Sequence, residues 1–153
     1  MNIRQASSEE ATELTRIAQE AKRHWGYPEH WLQRWEADLT ITPDFILNNH
    51  VYVADDGKRL SGFYALSVKA NKAELEHMWV APDCIGTGVG KALFVAAMQK
   101  ASELQLKAVE ISSDPDAEGF YQKMGAQRVG ETHADLDGES RVLPRLSIDP
   151  NDS

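Results

Sequence analysis

Residues 80–93 read Val80-Ala81-Pro82-Asp83-Cys84-Ile85-Gly86-Thr87-Gly88-Val89-Gly90-Lys91-Ala92-Leu93. A strand-like run, Glu74 to Val80, stops at Ala81-Pro82. Beyond the glycines, Leu93, Phe94, Ala97, Met98, Ala101 and Leu104 recur on one helical face. Three alternating glycines therefore join a strand to a helix. Glycine at such a junction lets backbone N–H groups approach an anion closely, and the following helix adds the positive end of its dipole. Phosphate is the expected ligand; a tight turn that needs glycine only for positive φ is the plainer alternative. Two common phosphate loops fail on spacing. A P-loop requires glycine five residues before the Gly90-Lys91 pair and a hydroxyl residue after it, where Ile85 and Ala92 stand. The dinucleotide fingerprint requires G-x-G-x-x-G at the start of a βαβ unit, whereas this loop reads G-x-G-x-G and comes late.

Upstream, Asn2 to Gln5 is a short strand. Ser7 and Glu10 make a capping box for a helix whose apolar face holds Leu14, Ile17, Ala18, Ala21 and Trp25. Gly26-Tyr27-Pro28 breaks it, a second helical stretch carries Trp31, Leu32, Trp35 and Leu39, and a short turn covers Pro43 to Asn48. From His50 the period becomes two: Val51, Val53, the Asp56-Gly57 turn and Leu60 to Val68 predict a hairpin. Downstream, Lys107 to Ile111 is a strand, and Asp114-Pro115 opens a helix that Gly125 closes. Strands Gln127 to Thr132 and Arg141 to Ile148 flank a polar loop, Asp135 to Glu139. About seven strands and four helices, with no linker or repeat, predict one α+β domain over residues 1–153.

The 153 residues are 42% hydrophobic and 26% charged, which suffices for a buried core without cross-links. The single Cys84 closes no intrachain disulfide, Met1 to Gln5 shows no signal-peptide pattern, and no apolar run approaches the ~18 residues of a membrane span. A cytoplasmic protein without a membrane partner is expected. The net charge of −8 argues against nucleic acid, which demands a basic face. Residues 1–50 hold 5 basic and 8 acidic groups, residues 51–100 hold 6 and 5, and residues 101–153 hold 5 and 11. Only the middle third, which contains the glycine loop, suits an anion. The five histidines and Cys84 show no metal-ligand spacing, so no metal is expected.

Residues 74–126 combine strand Glu74 to Val80, the Val80-x-Pro82 exit, Gly86-x-Gly88-Val89-Gly90, a helix, a strand, and Asp114-x-x-Ala117-x-x-Phe120-Tyr121-x-x-x-Gly125-Ala126. These coupled motifs resemble the GNAT superfamily of acetyl-CoA-dependent N-acyltransferases. Its pyrophosphate loop reads Q/R-x-x-G-x-G/A, and its later helix carries Asn-x-x-Ala-x-x-x-Tyr. The resemblance in element order extends over nearly the whole chain. It implies a mixed, mostly antiparallel sheet with two splayed parallel strands forming the acetyl-CoA cleft, the cofactor core lying within about 74–126. It also implies that the amides of Gly86, Thr87, Gly88, Val89, Gly90 and Lys91 grip the pyrophosphate, helped by the Lys91 ammonium. Met78 and Val80 would align with the pantetheine, and an N–H near Trp79 or Val80 would polarise the carbonyl. Asp114, Ala117 and Phe120 would border the cofactor, and Tyr121 would protonate the leaving sulfur. Ile85 departs from Q/R. Asp114 departs from Asn, serving either the cofactor or its own helix as N-cap, and Ala126 replaces a common Phe.

The implied activity is direct acetyl transfer to a primary amine on a small molecule or peptide. A non-catalytic acyl-CoA-binding sensor is the alternative, and it has no use for the acid Tyr121 would supply. A homodimer stays open. Three residues compete as base. Glu74 and Glu76 share a strand face unless a bulge intervenes, and His77, on the opposite face, titrates near neutrality. The acceptor side falls to the helices of about 7–48, where Trp25, Tyr27, Trp31 and Trp35 cluster; their faces suit a cationic or planar acceptor. Glu29 and Glu36 fit an amine, whereas Arg141 fits a carboxylate. The acidic tail, Asp149 to Ser153, is expected to fray.

Overall fold

The computed structural model describes residues 1–136 and 138–151. The Ser7 hydroxyl accepts from the Glu9 amide, and the Ser7 amide donates to the Glu10 carboxylate at 2.8 Å. This box starts a 3-10 turn that runs into α1 (Ala11–His24), which buries Leu14, Ile17 and Ala18. Lys22, Arg23 and His24 stand in its last turn, where the dipole favours cations. Pro28 precedes α2 (Glu29–Trp35), and Thr42 caps α3 (Pro43–Asn48) with proline at its first turn. With α4 (Val89–Glu103) and α5 (Glu118–Lys123), five helices are described where four were expected, because Pro43 to Asn48 forms a helix of its own.

Seven strands form one sheet: β1 (Asn2–Gln5), β2 (His50–Asp55), β3 (Leu60–Lys69), β4 (Lys72–Val80), β5 (Ala108–Ser112), β6 (Gln127–Leu136) and β7 (Glu139–Ile148). Their order is β1-β2-β3-β4-β5-β7-β6. Every neighbouring pair is antiparallel except β4 and β5. Those two hold register only from Lys72↔Ala108 to Glu74↔Glu110, then diverge as β4 continues to Val80. The mixed sheet and its splayed parallel pair agree with the expected α+β architecture. The last hairpin is longer than expected, because most of the polar stretch Asp135 to Glu139 is strand; Asp137 lies outside the described residues.

One sheet face packs Tyr64, Leu66, Leu75, Val109 and Ile111 against Leu93, Phe94 and Ala97 of α4. The other packs Val51, Val53, Phe63 and Ala65 against Leu14, Ile17 and Leu32. Full burial of each large apolar side chain contributes roughly 1.5–3 kcal/mol. Gly62 permits the closest approach: a Cβ there would lie 2.6 Å from the Trp79 carbonyl oxygen and 2.9 Å from Leu93. The chain end is docked as far as Asn151, whose amide nitrogen donates to the Leu106 carbonyl at 3.0 Å. Asp152 and Ser153 lie outside the described residues.

Candidate active site

Where β4 and β5 part, a cleft of about 490 Å³ passes through the sheet. Its α4 side is lined by Met78, Val80, the glycine loop, Phe120 and Tyr121; its α1 side by Ala21, Trp25, His77 and Trp79. A shallower groove of about 700 Å³ between β1–β3 and α4 shares only Gly88 and Lys91 with it. That groove lies away from the point where β4 and β5 part, whereas the cleft gathers Gly86, Gly88, Gly90, Glu76 and Tyr121 around it and is therefore the better site.

The loop is held at its start by the Ala81 amide, which donates to the Ser61 carbonyl at 2.9 Å. Gly86 and Gly88 have φ of +83° and +90°, and Gly88 is the left-handed N-cap of α4. A Cβ on either would meet nothing within 4 Å, so the cradle is open to a ligand. The Ala92 amide donates to the Gly88 carbonyl at 3.0 Å. The amides of Val89, Gly90 and Lys91 in the first turn thus precede the intrahelical ladder, and they gather at the helix's positive end. Of the six predicted loop residues, Gly86, Gly88, Gly90 and Lys91 line the cleft. Thr87 turns its hydroxyl to the Cys84 carbonyl, and Val89 packs into the core, which leaves those two their backbone amides alone. Ile85 lines the cleft at 44% exposure, an apolar contact where the resemblance places a polar side chain.

Met78, Trp79, Val80, Asp114, Ala117, Phe120 and Tyr121 all line the cleft as well. Tyr121 is buried against Phe94 and Phe120. Burial, reinforced by the Asp114 charge, raises its pKa and keeps the phenol protonated, a hydrogen-bond donor at neutral pH. Asp114 is already engaged: Oδ1 accepts from the Tyr27 hydroxyl at 2.6 Å and from the Asp116 amide at 3.0 Å, and Oδ2 lies 2.7 Å from Lys22 Nζ. Burial opposes its charge, yet the Lys22 ammonium and these donors hold its carboxyl below the usual range.

A β-bulge sorts the three base candidates. Ala65 and Leu66 face His77 and Leu75, which leaves Glu76 as the extra residue of β4. Glu74 and Glu76 thus do not simply alternate on one face, and the bulge carries His77 and Trp79 onto the α1–α3 side of the sheet. Glu74 accepts from Arg145 through both oxygens, at 2.8 and 2.6 Å, and lies outside the cleft lining. Glu76 is exposed, lines the cleft and accepts from the Ser67 hydroxyl at 2.8 Å. His77 Nδ1 accepts from the Trp79 indole at 3.0 Å, and burial pushes the ring's pKa down to about 4. Its free lone pair is thereby occupied and its basicity lost, contrary to the near-neutral titration expected of it.

The family model of the acetyltransferase (GNAT) domain matches residues 8–136. The chain belongs to the GNAT acetyltransferase family. A 5-NmdU N-acetyltransferase of Pseudomonas phage PaMx11 is 25% identical to this GNAT chain over 144 residues, covering 92% of this chain and 95% of the phage protein. PaiA N-acetyltransferase from Thermoplasma acidophilum, in complex with coenzyme A, has the same fold with a TM-score of 0.76, 21% identity, and coverage of 97% and 98% of the two chains. YncA, a putative acetyltransferase from Salmonella typhimurium with its cofactor acetyl-CoA, aligns with a TM-score of 0.73, 15% identity, and coverage of 100% and 95%.

On the α1 side of the cleft in this GNAT protein, Trp25 lines it and is 47% exposed. Tyr27 and Trp31 do not line it. Their rings, with Trp35, surround the Arg141 guanidinium at 5.1, 5.4 and 5.0 Å from the three centroids, and Arg141 also donates to the Tyr27 hydroxyl at 3.3 Å. The cation expected over these faces is thus the protein's own. Glu29 pairs with Arg23 away from the cleft. Lys22 went unread in the sequence, and the bulge at Glu76 entered only as a condition on where the two glutamates face. Lys22 carried a signal, a charge four residues beyond Ala18 on the apolar stripe. Burial pushes its ammonium pKa down, with Asp114 working against that shift. Among the described residues no helix is long and apolar enough to cross a membrane, and no three His, Cys, Asp or Glu are placed to share a metal ion.

Proposed function

We propose that this GNAT enzyme transfers the acetyl group of acetyl-CoA directly to a primary amine of a small molecule or peptide, within one domain spanning residues 1–153. One observation carries this reading: an open glycine cradle, a buried phenol and an exposed carboxylate converge on the single cleft where the parallel strands part. Acetyl-CoA supplies the thioester. The amides of residues 86–91 and the Lys91 ammonium hold the pyrophosphate, while the free β4 edge near Met78 and Val80 aligns the pantetheine. An N–H near Trp79 or Val80 meets the carbonyl oxygen as charge develops there. Glu76 accepts the ammonium proton, directly or through water. The amine nitrogen then bonds to the carbonyl carbon as the carbon–sulfur bond breaks, the Tyr121 phenol protonates the departing thiolate, and the proton that the nitrogen sheds on becoming an amide restores the phenol through water. Phe120 and Ala117 exclude water.

Trp25 and Glu76 give the acceptor its two contacts, an indole for its apolar or planar body and a carboxylate for its ammonium. The net charge of −8 favours a cationic amine and disfavours nucleic acid as partner. The phage relative, named a 5-NmdU N-acetyltransferase, supports an amine as the acceptor. Calorimetric titration with acetyl-CoA, followed by thiol release across amines, polyamines, amino acids, aminoglycosides and peptides, tests the proposal. Micromolar binding and release with one class are expected; absence of acetyl-CoA binding overturns it.

A further inference from the structure

Lys22 occupies a position that α1's apolar stripe would give to a hydrophobic residue, and its side chain is 11% exposed. Its ammonium lies 2.7 Å from Asp114 Oδ2 and 4.1 Å from the centroid of Trp35. Asp114 in turn collects the Tyr27 hydroxyl and the Asp116 amide. Three separate pieces of chain meet at this carboxylate: α1, the break that follows it, and the segment leading into α5. Each borders the cleft or stands beside a residue that does. Ala21 on α1 and Trp25 at its C-cap, on either side of Lys22, form the acceptor wall; Ala117, Phe120 and Tyr121, following Asp114, form the wall opposite.

A buried ammonium and a buried carboxylate are each costly alone and tolerable together. An asparagine at 114, as the resemblance would have it, could not balance Lys22. Asp114 and Lys22 are therefore two halves of one device. We propose that Lys22 is a positioning residue for the acceptor: by holding Asp114 it fixes the spacing between the Ala21–Trp25 wall and the segment carrying Tyr121. Lys22 touches neither substrate, and this role rests on the acetyl-transfer reading above.

The test compares Lys22→Met, Lys22→Arg, Asp114→Asn and the double variant Lys22→Met with Asp114→Asn. Lys22→Met should raise the acceptor KM about tenfold with kcat changed by less than about threefold, since displacement of a wall weakens positioning first. Its affinity for acetyl-CoA should stay within about threefold of wild type. Asp114→Asn should also raise the acceptor KM, whereas Lys22→Arg and the double variant should return it to within about threefold. Hydrogen exchange at residues 21–25 should quicken in the single charge-breaking variants and recover in the double. If Lys22→Met does not fold, Lys22→Gln takes its place. Active wild type with an additive or worse double variant, or with single variants of unchanged KM and exchange, overturns the Lys22 device alone. Wild type that releases no thiol with any amine overturns the acetyl-transfer reading and the acceptor role with it.

Discussion

The two walls of the cleft are made of different materials. The cofactor wall, residues 78–91 with 114–121, presents mainly backbone: open glycines, the start of α4 and a free strand edge. The opposite, acceptor wall, lined by Ala21, Trp25, His77 and Trp79, is backed by side chains far apart in sequence that pair behind it, Lys22 with Asp114, Tyr27 with Asp114, and Arg141 with Tyr27. Backbone donors survive most substitutions and fail only where a side chain intrudes. A network of balanced charges fails when any one member is neutralised. On the proposed reading, the grip on acetyl-CoA is set by where glycine stands, and the placing of the acceptor wall by which charges behind it are paired.

The sharpest way to break the cofactor wall is Gly88→Glu. At φ of +90° a side chain is strained, and a carboxylate would face the pyrophosphate. Acetyl-CoA affinity should fall by roughly 10³-fold, from backbone strain and anion repulsion together; calorimetry showing unchanged affinity would remove the loop from the site. Next in size is a pH effect on the opposite wall. His77 titrates near 6.5 when unfolded and at about 4 when folded, so between those values the unfolded chain binds the extra proton. Stability should thus fall as pH drops through that window, by about 3 kcal/mol in total. Urea unfolding at pH 7.0, 5.5 and 4.5 should show this loss in wild type and much less of it in His77→Gln.

Tyr121→Phe and Glu76→Gln probe the chemistry between the walls. Each should lower kcat by roughly 10²-fold while acetyl-CoA binding stays nearly intact, the usual size of general acid or base catalysis. Full turnover by either variant removes that residue from the mechanism.

Much of the cofactor wall was legible because its signals are local. The 86, 88, 90 glycines, the Pro82 exit, and the spacing from Asp114 to Tyr121 are short-range requirements of backbone geometry, and residues in all three line the described cleft or border it. The bounds Pro43 to Asn48 were legible too, though as a turn; the Thr42 cap and Pro43 make that stretch the helix α3. The bulge at Glu76 was not legible, since a one-residue slip in β4 follows from how β3 pairs with it and leaves no mark in Leu75-Glu76-His77. The same slip undid the assignment of His77 as a neutral-pH base, because it pushed the ring among Phe45, Phe63 and Trp79. The aromatic cluster misled for a related reason: tryptophan spacing showed that the rings would meet, but only the return of β7 brought Arg141 to fill them.

The smallest expected effect separates the two glutamates that strand alternation alone could not. Glu74 spends both oxygens on Arg145, which also donates to the Ser112 hydroxyl at 2.8 Å and so ties β4 to β7 across β5. These side chains are 29% and 26% exposed, so solvent weakens the pair. Glu74→Gln should lower stability by about 1 kcal/mol and leave kcat within about threefold. The cost falls on the closed end of the splay, where β4 and β5 still pair, rather than on the open end, where the glycine loop and Tyr121 lie. Urea midpoints and thiol-release kinetics on the same preparation decide it. A loss of turnover of tenfold or more with unchanged stability would move the base from Glu76 to Glu74, and the Arg145 pair would then be a gate on a catalytic carboxylate rather than a strut beneath the cleft.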